Sequence, residues 1–198
     1  MNMVHLFISR SYLIDFLRQL AAEFPHAGRI YLLGEASLLW EGWRQRIELL
    51  EFCAEVEDAH RSALKKAVSQ VAGDIGIAVL EEFPGDVIPL PEGYAERHRR
   101  VGRLVDLVAE SSPNPEGKSL ELWHFDPYSV AFRFIARGDE TDYHLVIEYL
   151  RRGWITVETM NTCLEQVLPR FSYQTIHQDP MEFRRKYKGL LQMWRARG

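Results

Sequence analysis

The chain has 198 residues, 46% hydrophobic and 26% charged, a globular balance at a length that buries a core without disulfide or metal staples. Its formal net charge of −4 argues against general binding to nucleic acid or anionic membrane, while leaving room for a local basic patch. No stretch approaches the ~18 apolar residues that span a bilayer. Apolar Met1 to Ile8 lacks a basic flank and a small-residue cleavage site, so the expected location is the cytoplasm and no membrane partner is expected. Cys53 and Cys163 form no C-x-x-C motif and read as buried, inert thiols of a reducing compartment.

In chain order, Ser9 or Ser11 can cap a first helix. Its apolar residues Leu13, Phe16, Leu17, Leu20 and Phe24 recur at helical spacing, and Pro25 ends it. A short strand, 29–33, leads through Gly34 into a helical stretch from Ala36 to Trp43. The segment from Arg46 to Val56 reads as one strand. Asp58 is placed to cap a helix with Leu64, Ala67, Val68 and Val71 on its apolar face, and Gly73 and Gly76 bracket its exit. Ile77 to Leu80 is a second short strand. From Phe83 to Gly93, three prolines and two glycines predict a loop or an edge. Strands at 102–109 and 119–125, separated by a turn at 111–117, predict a β-hairpin.

After Asp126-Pro127 the pattern becomes helical, at about 127–137, 139–152, 156–167 and 179–195, with Thr156 and Asp179 as N-caps. Glu158 and Glu182 fall in first turns, where the helix dipole favours acids. The expected architecture is α+β, in one domain over 1–198. A mixed sheet with flanking helices forms the core over 1–126, and a helical C-terminal region over 127–198 packs on it.

Strand, glycine, helix, then a strand bearing carboxylates opens the nucleotidyltransferase fold. The run from Ile30 through Gly34 to Gly42 and Arg44 resembles the start of the minimal nucleotidyltransferases and of AbiEii-type toxins. Phe83 to Pro91 through Arg97 resembles a second block of that superfamily, and Phe125 to Gly138, followed by Asp142 and Arg151-Arg-Gly153, resembles a third, in the form of an uncharacterised bacterial branch. The resemblance implies a glycine turn against nucleotide phosphates. It also implies an Asp-x-Asp strand with a third carboxylate nearby, together holding Mg²⁺. Carried over by position, it assigns the nucleotide to Gly34, Glu35, Ser37, Arg44 and Arg137. Catalytic and metal-ligating roles fall on Glu51 and Asp86, with Glu121 and Asp106 as poorer third carboxylates.

This chain departs from the pattern at four of these positions. The first Asp falls on Leu49, which has no ligand atom; the second falls on Glu51, whose longer arm shifts any ion. Glu35 stands where a small residue belongs. It sets a negative charge near a triphosphate, a repulsion of about 1 kcal/mol at ~4 Å in water and several times that in a drier site. Phe134 replaces a lysine. On a regular strand Glu51, Cys53, Glu55 and Glu57 share one face, as an acidic stripe or a solvated edge.

No two histidines have metal-motif spacing, and His124 reads as a hydrogen-bonded, partly buried residue. Arg97, Arg99, Arg100 and Arg103 form a basic cluster, read as a solvated face or a phosphate contact. Trp40 and Trp43, one turn apart, read as core residues or a base-stacking pair. In the last helix Phe183, Tyr187, Leu190, Leu191 and Trp194 form an apolar face that docks on the domain or on a second subunit, beside a basic run from Arg184 to Lys188. Three readings follow. One is a degenerate nucleotidyltransferase-like protein that binds a nucleotide, RNA or a protein partner, related to toxin–antitoxin pairs. Another is an active Mg²⁺-dependent transferase of nucleoside monophosphate. The third is a homo-oligomeric interaction module, a homodimer in its simplest form.

Overall fold

The computed structural model describes residues 7–104, 106, 120–171 and 179–197. The fold is mixed α/β, with seven helices, a five-stranded mixed sheet and a two-stranded sheet among the described residues. The chain divides into two compact units: 1–82 with 99–124, and 83–98 with 125–198.

In the first unit, α1 (Arg10–Glu23) starts at Ser9, whose Oγ accepts from the Tyr12 amide at 3.5 Å. Strand β1 (Ile8–Ser9) pairs antiparallel with β3 (Arg46–Ile47) in the small sheet. The large sheet contains β2 (Gly28–Leu32), β4 (Leu50–Val56), β5 (Val79–Glu81), β6 (Arg99–Arg103) and β7 (Leu120–His124), in the order β5-β4-β2-β7-β6. β2 is antiparallel to β4 and parallel to β7, β4 is parallel to β5, and β6 is antiparallel to β7. Two further helices are α2 (Gly34–Trp40) and α3 (Arg61–Ile75). One sheet face carries Ile30, Leu32, Leu50, Phe52, Leu120 and Leu122. These join Phe16, Leu17 and Leu20 of α1 and Leu64, Val68 and Val71 of α3 in one core. Period two in the strands and a helical stripe in α1 and α3 bring these residues to one side.

Four local expectations need correction. The predicted strand from Arg46 to Val56 is two strands, because Arg46 and Ile47 pair with β1 and the chain bends at Glu48 before β4 begins. The helix after Gly34 begins at that residue and stops at Trp40, three residues before the predicted end at Trp43. Asp58 opens a 3-10 turn, Asp58–His60, and caps nothing with its side chain; α3 follows at Arg61. Strand β6 ends at Arg103, with helical geometry at Leu104 and Asp106, so the strand predicted over 102–109 lies three residues early and is cut short. The antiparallel pairing of the predicted hairpin is present, while its turn at 111–117 lies outside the described residues.

The second unit contains α4 (Pro127–Arg137), α5 (Glu140–Arg151), α6 (Val157–Val167) and α7 (Pro180–Arg197). Their starts follow the sequence signals. Asp126 caps α4 with Pro127 at the first helical position, and Thr156 accepts from the Thr159 amide. Gly138, at φ +79°, ends α4 in the left-handed conformation that suits glycine. Phe132 of α4 sits edge-on to Phe183 and Tyr187 of α7, at 5.7 and 6.2 Å between ring centres. Lys186 Nζ donates to the Ala136 carbonyl at 2.6 Å, near the negative end of α4. The segment 83–98, whose proline-rich part from Phe83 to Gly93 reads from sequence as a loop or edge within the core region, groups with these helices. Arg97 grips Asp126 through two bonds of 2.9 Å, and Arg170 Nη1 donates to the Leu90 carbonyl at 2.7 Å.

Candidate functional site

The Gly34 turn joins β2 to α2 with φ at +48°, a conformation that costs glycine little. The preceding amide, Leu33 N, donates to the Glu51 carbonyl at 3.1 Å, so the turn is stitched to the start of β4. Glu51 is buried and pairs across the sheet with Leu80. Leu49 lies in the bend before β4, half-buried. Glu35 extends from the first turn of α2 to the Arg44 guanidinium at 2.6 Å. Two side chains that the resemblance assigns to a nucleotide therefore satisfy each other.

Arg137 forms a two-pronged pair with Asp142 at 3.0 and 2.7 Å and lies over the Phe134 ring at 4.8 Å. Asp86 is exposed at the end of the 3-10 turn Pro84–Asp86. Glu51 and Asp86 belong to different units, the first and the second respectively.

Ser37 is one turn into α2 and almost fully buried. Its hydroxyl donates to the Leu32 carbonyl at 3.1 Å and lies 3.0 Å from His124 Nδ1. The other ring nitrogen, Nε2, lies 3.0 Å from the Glu41 carboxylate. Burial pushes the His124 pKa below its ordinary 6.5; Glu41 opposes this and Arg99 adds to it. The Ser37 hydroxyl has a single proton, so a neutral ring with its own proton on Nε2, toward Glu41, accepts at Nδ1 only when Ser37 turns that proton from the Leu32 carbonyl to the ring. The connectivity is that of a Ser-His-Glu relay, but Ser37 is only 1% exposed. A nucleophile has to reach its substrate, so the trio is a clasp between α2 and β7.

The sheet face opposite the core carries Arg29, Tyr31, Glu51, Cys53, Glu55, Glu121 and Trp123, from strand alternation. On this face Glu55 of the acidic stripe and Glu121 beside it are held by arginines. Arg29 bonds Glu55 at 3.2 Å and lies 3.9 Å from Glu121, while Arg100 donates to Glu121 at 2.7 Å. Tyr31 Oη donates to Glu55 at 2.8 Å, Trp123 Nε1 donates to Glu121 at 3.1 Å, and Arg29 lies over the Trp123 ring at 5.4 Å. Burial alone raises the Glu121 carboxyl, but the bonds from Arg100 and Trp123 and the charges of Arg100 and Arg29 outweigh it, leaving the carboxyl below its ordinary value.

The donor set around Glu51 does not fit the ion that the resemblance implies. Leu49 offers no oxygen. Among the described residues, no group of three or more His, Cys, Asp or Glu side chains is placed to hold a metal ion.

Sequence reasoning missed the two best-built polar centres. The Ser37–His124–Glu41 clasp joins residues 83 or more positions apart, and no local spacing signals it. The sequence places Arg97 in a basic cluster that reads as a solvated face or a phosphate contact, yet it serves the fully buried Asp126. The Asp126-Pro127 capping signature was the available clue. Trp40 is 8% exposed in the core, with Arg10 over its ring at 5.6 Å. No helix among the described residues is long and apolar enough to cross a membrane. No family model, curated protein or solved structure matches the chain.

Proposed function

We propose that this chain is a nucleotidyltransferase-like protein that has lost metal-dependent transfer and acts by binding a nucleotide, an RNA or a protein partner, as part of a toxin–antitoxin system or in descent from one. The observation that carries the reading is the Leu33 N to Glu51 O bond at 3.1 Å. It seats the glycine turn beside the carboxylate-bearing strand, which is the arrangement the resemblance requires. The element order also supports it: helix, strand, glycine turn, helix, antiparallel strand, helix and a third strand parallel to the second. The loss of transfer rests on chemistry. Leu49 cannot ligate, and Glu35 is neutralised by Arg44 rather than replaced by a small residue.

The test is calorimetric titration of the full chain with nucleoside triphosphates, with and without Mg²⁺, alongside an assay for pyrophosphate release. The expected result is nucleotide binding that does not depend on the metal, with no release. Saturable Mg²⁺-dependent binding, abolished by Glu51→Gln or Asp86→Asn, would overturn the degenerate reading in favour of an active transferase. Absence of nucleotide binding, together with a dimer dispersed by Trp194→Asp, would favour the interaction module. Phe183, Tyr187 and Leu190 are already buried, and Trp194 is only half-buried. Trp194 is therefore the residue whose change tests a seam without dismantling the fold.

A further inference from the structure

We propose that the outward face of α7 is a binding surface for nucleic acid, held through its phosphodiester backbone and independent of base sequence. In a chain of formal charge −4, this helix carries Arg184, Arg185, Lys186, Lys188, Arg195 and Arg197 against Glu182 alone. At about 100° per residue, Arg184, Lys188 and Arg195 fall within about 40° of one another, along roughly 16 Å of helix. All three are exposed, and Arg185 beside them is 80% exposed at its side chain. Lys186 is not part of the row, since its ammonium is held on the Ala136 carbonyl.

The partners already on this face are weak competitors. Arg184 lies 3.3 Å from Glu165 and Arg185 lies 4.0 Å from Glu182, both across solvent-exposed side chains. Exposed pairs of this kind contribute little and are screened by salt. A phosphodiester chain offers a series of such charges and gains from counterion release.

The same helix argues against the other polyanions. An amphipathic helix that lies on a membrane does so with its apolar face in the lipid. Here Phe183, Tyr187 and Leu190 are 0%, 2% and 0% exposed, packed within the unit. Protein interfaces draw most of their affinity from buried aromatic anchors, and two of this helix's aromatics are likewise consumed by the fold. What remains outward, besides Met181 at the helix start and part of Trp194, is mainly a row of cations, which suits a phosphate backbone. This inference is independent of the Gly34 and Glu51 reading, which concerns the first unit.

The experiment is fluorescence anisotropy of the full chain with labelled single-stranded RNA, duplex RNA and duplex DNA over a range of salt. Four neutralised phosphates predict a log–log salt slope of about −3. The triple substitution Arg184→Gln, Lys188→Gln and Arg195→Gln is expected to weaken binding by more than tenfold and reduce that slope by about two, with the thermal unfolding curve unchanged. Lys65→Gln with Lys66→Gln, on the exposed side of α3 in the first unit, removes two comparable charges and is expected to leave affinity unchanged. Absence of binding at low salt would overturn the proposal. So would equal losses in the two variants, or binding confined to phosphatidylserine vesicles or to polyglutamate.

Discussion

The two compact units use the same residue types, arginines and carboxylates, in opposite ways. In the first, the pairs are partly open to solvent, with Arg29 and Arg100 about half exposed at their side chains and Glu55 more so. In the second, the central carboxylate is closed off from water. Asp126 is fully buried and accepts from Arg97 Nε and Nη2, the Tyr128 and Ser129 amides and the Ser129 hydroxyl. A buried charge is tolerated only with its lone pairs engaged in this way, and removing one partner strands the other. A surface pair has water as an alternative. The contrast separates a network that fixes the chain's path, joining segment 83–98 to α4, from one that sets the electrostatic character of a surface.

The sharpest way to break this comparison is to remove one acid from each network. Asp126→Ala is expected to cost about 3–5 kcal/mol, since it leaves the Arg97 guanidinium without its partner and uncaps α4. Glu121→Gln is expected to cost roughly 0.2–1 kcal/mol. Urea unfolding midpoints, with m-values to check that the denatured state is unchanged, measure both. Comparable losses from the two changes would mean that burial does not separate the networks.

What the sequence made legible follows the same division. The helices of the second unit were readable to within two residues, because Asp126-Pro127, Thr156 and Asp179 are local capping signals. The core stripes of α1 and α3 were readable from periodicity. The break between β3 and β4 was not, because it depends on β1 capturing Arg46 and Ile47 from about 38 residues away. Spacing alone put Glu51, Cys53 and Glu55 on one face, but it could not show that arginines from β2 and β6 hold Glu55 and Glu121 on that face. Those partners come from other strands, and sheet order is a tertiary fact. The same limit hid the clasp at His124, whose two partners both lie on or just past α2.

Acid pH sharpens the comparison with a smaller effect. Burial holds the His124 pKa in the folded chain below the ordinary 6.5, so the unfolded chain binds this proton first. Stability from this group is therefore full above about 6.5 and falls as the pH drops below it, at up to about 1.4 kcal/mol per pH unit until the folded value is reached. Replacing His124 with Gln is expected to flatten that part of the profile. Urea midpoints on either side of 6.5, for the native chain and the variant, provide the measurement. A variant whose loss on acidification matches that of the native chain would place the pH sensitivity elsewhere.

The smallest expected effect lies at alkaline pH, where each unit holds one tyrosine pushed up to about 12. Burial is the leading cause for both. Tyr31 is raised further by its bond to Glu55 and lowered by Arg29, whereas Tyr187 receives only a minor addition from Cys163. A phenol raised above its ordinary 10.0 keeps its proton longer in the folded chain, so the stability it contributes is full below about 10 and is lost as pH rises through about 12. Glu55→Gln removes a negative charge from beside Tyr31 alone. The expected result is a small fall in the Tyr31 value, read from phenolate absorbance against a Tyr31→Phe reference, with Tyr187 unmoved. An equal fall at both tyrosines would mean that Glu55 acts through general loosening of the fold rather than through the local bond at 2.8 Å. No movement at either would reduce the solvent-facing network to burial alone, and the first unit's ion pairs would then carry no electrostatic influence beyond their own side chains.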